Sequence, residues 1–191
     1  MNNKKNVKPP ISIYIRYLKL DDLGDFFQLN LPEREHNNFN GPYYRKQTRD
    51  ELTEYVGMLR KHLLAGKIDV LDQKKIIANK DTDEIIGTVN WYWKSRETNW
   101  MEIGIVIFNE KYWGKGIGFQ ALSLWTTEIF KTYPELVRLG MMTWSGNKRM
   151  MALAEKLGFQ KEAVYRKARI VNDEYYDSVS YGILKEEWFK D

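Results

Sequence analysis

Between Lys111 and Leu122 the chain reads KYWGKGIGFQAL, with glycine at 114, 116 and 118, directly after an apolar run rich in Ile and before a segment of helical composition. Glycine weakens a helix or strand by about 0.5–1 kcal/mol relative to alanine, so three at alternate positions mark a place where bare backbone is required. A strand that enters such a turn and leaves it as a helix has several N–H groups without partners, and the helix dipole adds positive potential there. The stretch therefore reads either as an anion cradle or as a tight strand-to-helix turn with no ligand. It is not the Walker phosphate loop, because no Lys-Ser/Thr pair follows, nor G-x-G-x-x-G, because Phe119 stands at the third glycine.

Composition narrows the setting. At 191 residues, 43% hydrophobic and 14% aromatic, the chain is long and apolar enough for one domain with a substantial core. The opening MNNKKNVKPP is a charged stretch without the apolar centre of a secretory signal, and no apolar run reaches the roughly 18 residues that cross a bilayer. These features predict a flexible tail over 1–10, a single domain over 11–191, no membrane partner and a cytoplasmic address. With no cysteine, a thiol nucleophile, a disulfide framework and a thiolate metal site are excluded. His36 and His62 lie far apart in sequence, and no metal is expected. The net charge of +4, from 30 basic and 26 acidic residues, mildly favours an anionic ligand but is too dispersed to signal nucleic acid.

The hydrophobic pattern predicts a strand over Ile11 to Leu18, then a helical run from Asp21 through Leu29. Leu31 to Arg49, with Pro32 and Pro42, reads as a long loop before a helix from about Asp50 to Ala65. KKIIANK, EIIGTVNWYW and WMEIGIVIF read as three antiparallel strands. After the glycines comes a helix ended by Pro134, then a strand LVRLGMMTW, a helix NKRMMALAEKLGF, and two strands joined around Asn172 to Glu174. The alternation of strand and helix implies some parallel pairing, so the expected fold is α/β (α+β): a mixed, largely antiparallel sheet of six to seven strands flanked by helices.

This order, together with the glycine turn, resembles the GNAT superfamily of acetyl-CoA-dependent N-acetyltransferases. The family loop has the form Q/R-x-x-G-x-G/A; here Trp113, Gly116 and Gly118 hold those places, with Trp where Gln or Arg is usual. The later family signature is matched by Asn147, Lys156, Gly158 and Phe159, and the resemblance extends from about Ile11 to Trp188. Arg16 with Asp22 near the start, and Arg166 followed by VNDEYYDSVSYGIL near the end, look most like the branch of ribosomal-protein alanine and spermidine acetyltransferases.

The resemblance implies acetyl-CoA as cofactor and an amine as acceptor, whether a protein N-terminal α-amine, a polyamine or another small amine. It implies that the amides of Trp113, Gly114, Lys115, Gly116, Ile117, Gly118 and Phe119 hold the diphosphate, with Asn147 and Lys156 nearby. The strand carrying Val106, Ile107 and Phe108 is expected to splay from its neighbour and offer backbone to the pantetheine arm. Glu102 is the candidate base, sharing a face with Gly104 and Val106; its alternative reading is a solvated strand-end carboxylate. Many members carry Tyr where this chain has Ala154, so either another hydroxyl supplies the proton, with Ser145 and Tyr165 as weaker candidates, or the thiolate departs to water. Glu33, Glu35, Tyr43 and Tyr44 lie in the loop that lines the acceptor side in this family, where they read either as contacts for a cationic amine or as a solvated loop. Trp91, Trp93, Trp100, Tyr175 and Tyr176 read as core or rim.

Two other classes stay open on sequence alone. A coenzyme-A-binding regulator without catalysis would keep the loop and lack the acid. An RNA-binding module is suggested by YYRKQTR and the aromatic content, without a stacking signature. Oligomeric state is left open, a homodimer included.

Overall fold

The computed structural model describes residues 11–67 and 72–190; the tail expected over 1–10 lies outside the described residues. A seven-stranded sheet forms the frame, in the order β1-β2-β3-β4-β5-β7-β6. The strands are β1 (Ile13–Arg16), β2 (Lys74–Asn79), β3 (Ile85–Ser95), β4 (Trp100–Ile107), β5 (Arg138–Trp144), β6 (Gln160–Val171) and β7 (Glu174–Leu184). The helices are α1 (Leu23–Leu29), α2 (Arg49–Leu64), α3 (Ile117–Thr132), α4 (Lys148–Lys156) and the short α5 (Lys185–Trp188). Every neighbouring pair is antiparallel except β4 with β5, which α3 links as a crossover. The mixed sheet and the flanking helices agree with the sequence reading, and most boundaries fall within a residue or two of it.

Strand alternation sorts the side chains to two layers. On one face, Met101, Ile103, Leu139 and Met141 pack under Ala121, Leu122, Trp125 and Ile129 of α3. On the other, Ile76, Ala78, Ile85 and Phe108 pack against Leu23, Phe26 and Leu59 of α1 and α2. Local signals set the helix ends. Thr48 caps α2 in a reciprocal box with Glu51, whose carboxylate accepts from the Thr48 amide at 2.8 Å. Asn172 and Asp173, with φ of 51° and 63°, make the two-residue turn of the β6–β7 hairpin, the twist that favours Asn and Asp.

Gly87 sits where β3 presses on β4. A Cβ built there would lie 2.1 Å from the Val106 carbonyl oxygen, a backbone atom that cannot swing aside. Gly87→Ala should therefore force the two strands apart and cost about 1–3 kcal/mol, as overpacking does. A urea melt showing an unchanged midpoint would contradict this.

Candidate functional site

The pairing of β4 with β5 is short. Only Met101 with Leu139 and Glu102 with Gly140 are in register; beyond them the two strands diverge while β5 stays paired to β7 as far as Trp144. The Phe108 amide donates to the Ile86 carbonyl at 3.0 Å, so by the alternation of strand bonding Val106 and Phe108 turn toward β3, and Ile105 and Ile107 face the gap. The splay expected for this strand is present. Ile105, which the sequence did not single out, is the gap-facing residue beside Ile107. The Ile107 carbonyl accepts from the Trp113 indole at 2.9 Å, which accounts for a Trp at that loop position.

A cavity of about 970 Å³ occupies the gap. Its lining joins the glycine turn and α4 on one side of the sheet to Asn90, Tyr92, Met142 and Trp144 and the loop before α2 on the other. Gly114 and Gly116 adopt φ of +71° and +77°, and a Cβ built on either meets nothing within 4 Å, so the turn faces open space. Gly116 precedes α3 without a side-chain cap, which leaves the first-turn amides of Ile117, Gly118 and Phe119 directed at that space. An exposed row of donors with positive dipole and no side chain in the way fits a diphosphate. Ile117 itself is buried in the core, and Lys115 points to solvent and does not line the cavity. Lys156 lies 5.1 Å from the centre of the Phe119 ring, and both line the cavity on this side.

Asn147 has a structural task. Its Oδ1 accepts from the Met150 amide at 3.1 Å, capping α4, and its Nδ2 donates to the Phe39 carbonyl at 3.3 Å. The same carbonyl accepts from the Trp144 indole at 3.0 Å. Arg149, absent from the sequence candidates, packs its guanidinium 4.4 Å from the Trp113 ring centre and 5.0 Å from that of Phe39. The loop before α2 is thus fastened across the open end of the gap.

On the opposite face, Glu102 is 1% exposed, which overturns the reading of a solvated strand-end carboxylate. The absence of a side chain at Gly140 leaves room for it: a Cβ there would stand 3.3 Å from Glu102 Cγ. The Tyr92 hydroxyl donates to the Glu102 carboxylate, and Tyr92, not Glu102, lines the cavity. Burial, followed by the bond to Glu102 and its charge, pushes the Tyr92 phenol above its ordinary range, so it stays protonated at neutral pH. Tyr92 was missed in the sequence although it lies directly across from Glu102 in the antiparallel register.

The remaining candidates separate. Tyr43 and Tyr44 line the cavity as a tilted pair with ring centres 4.7 Å apart. Glu33 and Glu35 are exposed and outside the lining, Glu35 accepting instead from the Asn38 amide group at 3.0 Å. Ser145 accepts from the Asp177 amide at 2.9 Å and ties β5 to β7, and Tyr165 is 55% exposed on the edge strand β6; neither lines the cavity. Trp91 is buried and Tyr175 is exposed. His36 is buried with Nε2 2.9 Å from the Leu29 carbonyl, and burial lowers its pKa. Among the described residues no group of three His, Cys, Asp or Glu could hold a metal ion, and no helix is long and apolar enough to cross a membrane.

Comparison with known proteins places this geometry. Residues 12–160 match the acetyltransferase (GNAT) domain. A Bacillus subtilis relative named as the uncharacterized N-acetyltransferase YoaA is 29% identical over 149 residues, covering 72% of this chain and 83% of its own. The spermidine N-acetyltransferase from Vibrio cholerae, solved with CoA and spermine, superposes with a TM-score of 0.72 at 19% identity, covering 93% of this chain and 98% of that one. The ribosomal-protein-S5-alanine acetyltransferase from Vibrio fischeri superposes with a TM-score of 0.69 at 20% identity, covering 93% and 96%. With the domain match spanning most of its length and the splayed strands and glycine turn in place, this chain belongs to the GNAT acetyltransferase family.

Proposed function

We propose that the chain transfers the acetyl group of acetyl-CoA to a primary amine, the amine attacking directly in a ternary complex. The observation that carries this reading is the opening between β4 and β5, which has an anion-binding turn on one face of the sheet and the Tyr92–Glu102 couple on the other. The Vibrio cholerae neighbour, solved with CoA and spermine, supports both ligand classes. Acetyl-CoA supplies an acetyl group already activated as a thioester.

The protein binds, orients and moves protons. The amides of Gly116, Ile117, Gly118 and Phe119 hold the diphosphate, and Ile105 and Ile107 present backbone to the pantetheine arm. An amine arriving as ammonium loses two protons on becoming an amide and the thiol takes one, so each turnover releases one net. Tyr92 sits between the cavity and Glu102, so it accepts the amine proton as its own moves to the carboxylate. Residue 154 is alanine, so α4 supplies no hydroxyl at that position, and the departing thiolate takes its proton from water.

The test is release of free thiol from saturating acetyl-CoA over a panel of amines, with the acylated product identified by mass. Thiol release that depends on the amine is expected. Tight acetyl-CoA binding with no amine-dependent release would replace this reading with that of a regulator.

A further inference from the structure

The acceptor side of the cavity is not built for a polycation. Among the described residues the cavity lining contains no Asp or Glu; Lys46 and Lys74 line its acceptor side, and Arg149 and Lys156 of α4 line the side of the glycine turn. Lys46 and Lys74 lie on the same side of the sheet as Tyr92, and among the described residues neither has a carboxylate within salt-bridge distance: Lys46 donates to the Asn38 side chain at 3.2 Å and Lys74 packs 5.6 Å from the Tyr55 ring centre. Glu102 is already held by Tyr92 behind the wall. The loop carboxylates that could have drawn a polyamine, Glu33 and Glu35, face away.

Arg169 adds a directional element. It lies outside the lining itself and reaches from β6 to two residues of it, its guanidinium carbon 4.6 Å from the centre of the Tyr43 ring and its Nη2 3.6 Å from the Met142 sulfur. Tyr43 and Met142 both line the cavity. Nη1 donates to the Ala168 carbonyl at 3.0 Å, while Nε is buried without an acceptor. The edge formed by Nε and Nη2 is one of the two that bind carboxylates in a fork, and here it meets only a thioether, a weak acceptor on a flexible side chain. Buried donors are ordinarily paired, so an unpaired one beside a ligand cavity points to a partner that arrives with the ligand.

We infer that the acceptor is an amine that also carries a carboxylate, which the Nε/Nη2 edge of Arg169 engages as Met142 moves aside, and that polyamines are poor acceptors. This rests on the acetyl-transfer reading and assigns its acceptor class.

The test measures binding separately from turnover. Alanyl-alanine with a free carboxylate, its C-terminal amide and spermidine are titrated into the protein saturated with coenzyme A, and the same three are assayed for acetylation. We expect the free carboxylate to bind about ten-fold or more tighter than the amide, as a charge-assisted fork should, with spermidine weakest. Arg169→Gln should bring the ratio of carboxylate to amide close to one, and Arg169→Glu should reverse it in favour of spermidine. Equal or absent binding of carboxylate and amide by the parent, an unchanged ratio in Arg169→Gln, or tighter binding of spermidine overturns the inference. The expected binding order without any acetylation would sustain the carboxylate site at Arg169 and remove the acetyl-transfer reading, and with it the name of acceptor.

Discussion

Glu102→Gln should lower kcat by about 10²–10⁴-fold while leaving acetyl-CoA binding intact, the range that a positioned proton acceptor contributes. Glutamine keeps the shape and can still pair with the Tyr92 hydroxyl in this 1%-exposed pocket, so the change isolates the charge. The pH profile carries the sharper reading. At pH below the amine's own pKa the parent has a place to send the proton and the variant does not, whereas above it free amine forms in water. The deficit should therefore shrink as pH rises through the acceptor's pKa, about 8 for an α-amine. Tyr92→Phe should lose a large part of the same activity, since it removes the hydroxyl that stands between the cavity and the carboxylate. Full activity of Glu102→Gln at every pH would remove Glu102 as the base.

The second large effect concerns a single methyl group. Gly116 has φ of +77°, where a residue with a Cβ pays about 1–2 kcal/mol. The added carbon would meet no protein atom within 4 Å, so Gly116→Ala should fold with a modestly lower Tm. With the diphosphate on this turn as proposed, that Cβ would occupy the space the ligand needs. Loss of two charge-assisted bonds at about 1.5–3 kcal/mol each would weaken acetyl-CoA binding by about 10²-fold or more. Gly24→Ala is the control: it adds the same methyl group to open space within α1, where it should stabilise by about 0.5–1 kcal/mol and leave binding alone. Calorimetric titration of both variants decides the matter; equal affinities would remove the turn from the binding site.

What could be read from sequence follows the range of the interactions. The glycine turn, the Asn147 cap and the two-residue hairpin turn at Asn172 are each encoded by a few consecutive residues, and each appears where the pattern placed it. The site residues that escaped notice depend on partners far along the chain. Tyr92 meets Glu102 through a hairpin register that slips by one residue between Trp93 and Ser95, so counting outward from the turn around Asn99 would have set Trp93, not Tyr92, across from Glu102. Arg169 meets Tyr43 and Met142 only because β6, the loop before α2 and β5 converge, and no local pattern announces that. Arg149 is similar: its two aromatic neighbours come from different segments, on a helix whose spacing reads simply as amphipathic. Conversely, Glu33 and Glu35 carried suitable chemistry in a suitable loop, yet a turn of backbone directs them outward.

The short pairing between β4 and β5 has a bearing on survival as well as on chemistry. Beyond Glu102 and Gly140 these strands are held together by little of their own, and the amide-bearing arm of acetyl-CoA is the length of chain that would knit them. A ligand that binds only the native state at 100 times its Kd contributes about 2.7 kcal/mol, and for a chain of this size each kcal/mol raises Tm by about 2–4 °C. Resistance to heat and proteolysis should then track the supply of acetyl-CoA, so that a cell depleted of activated acetate would hold less of this protein.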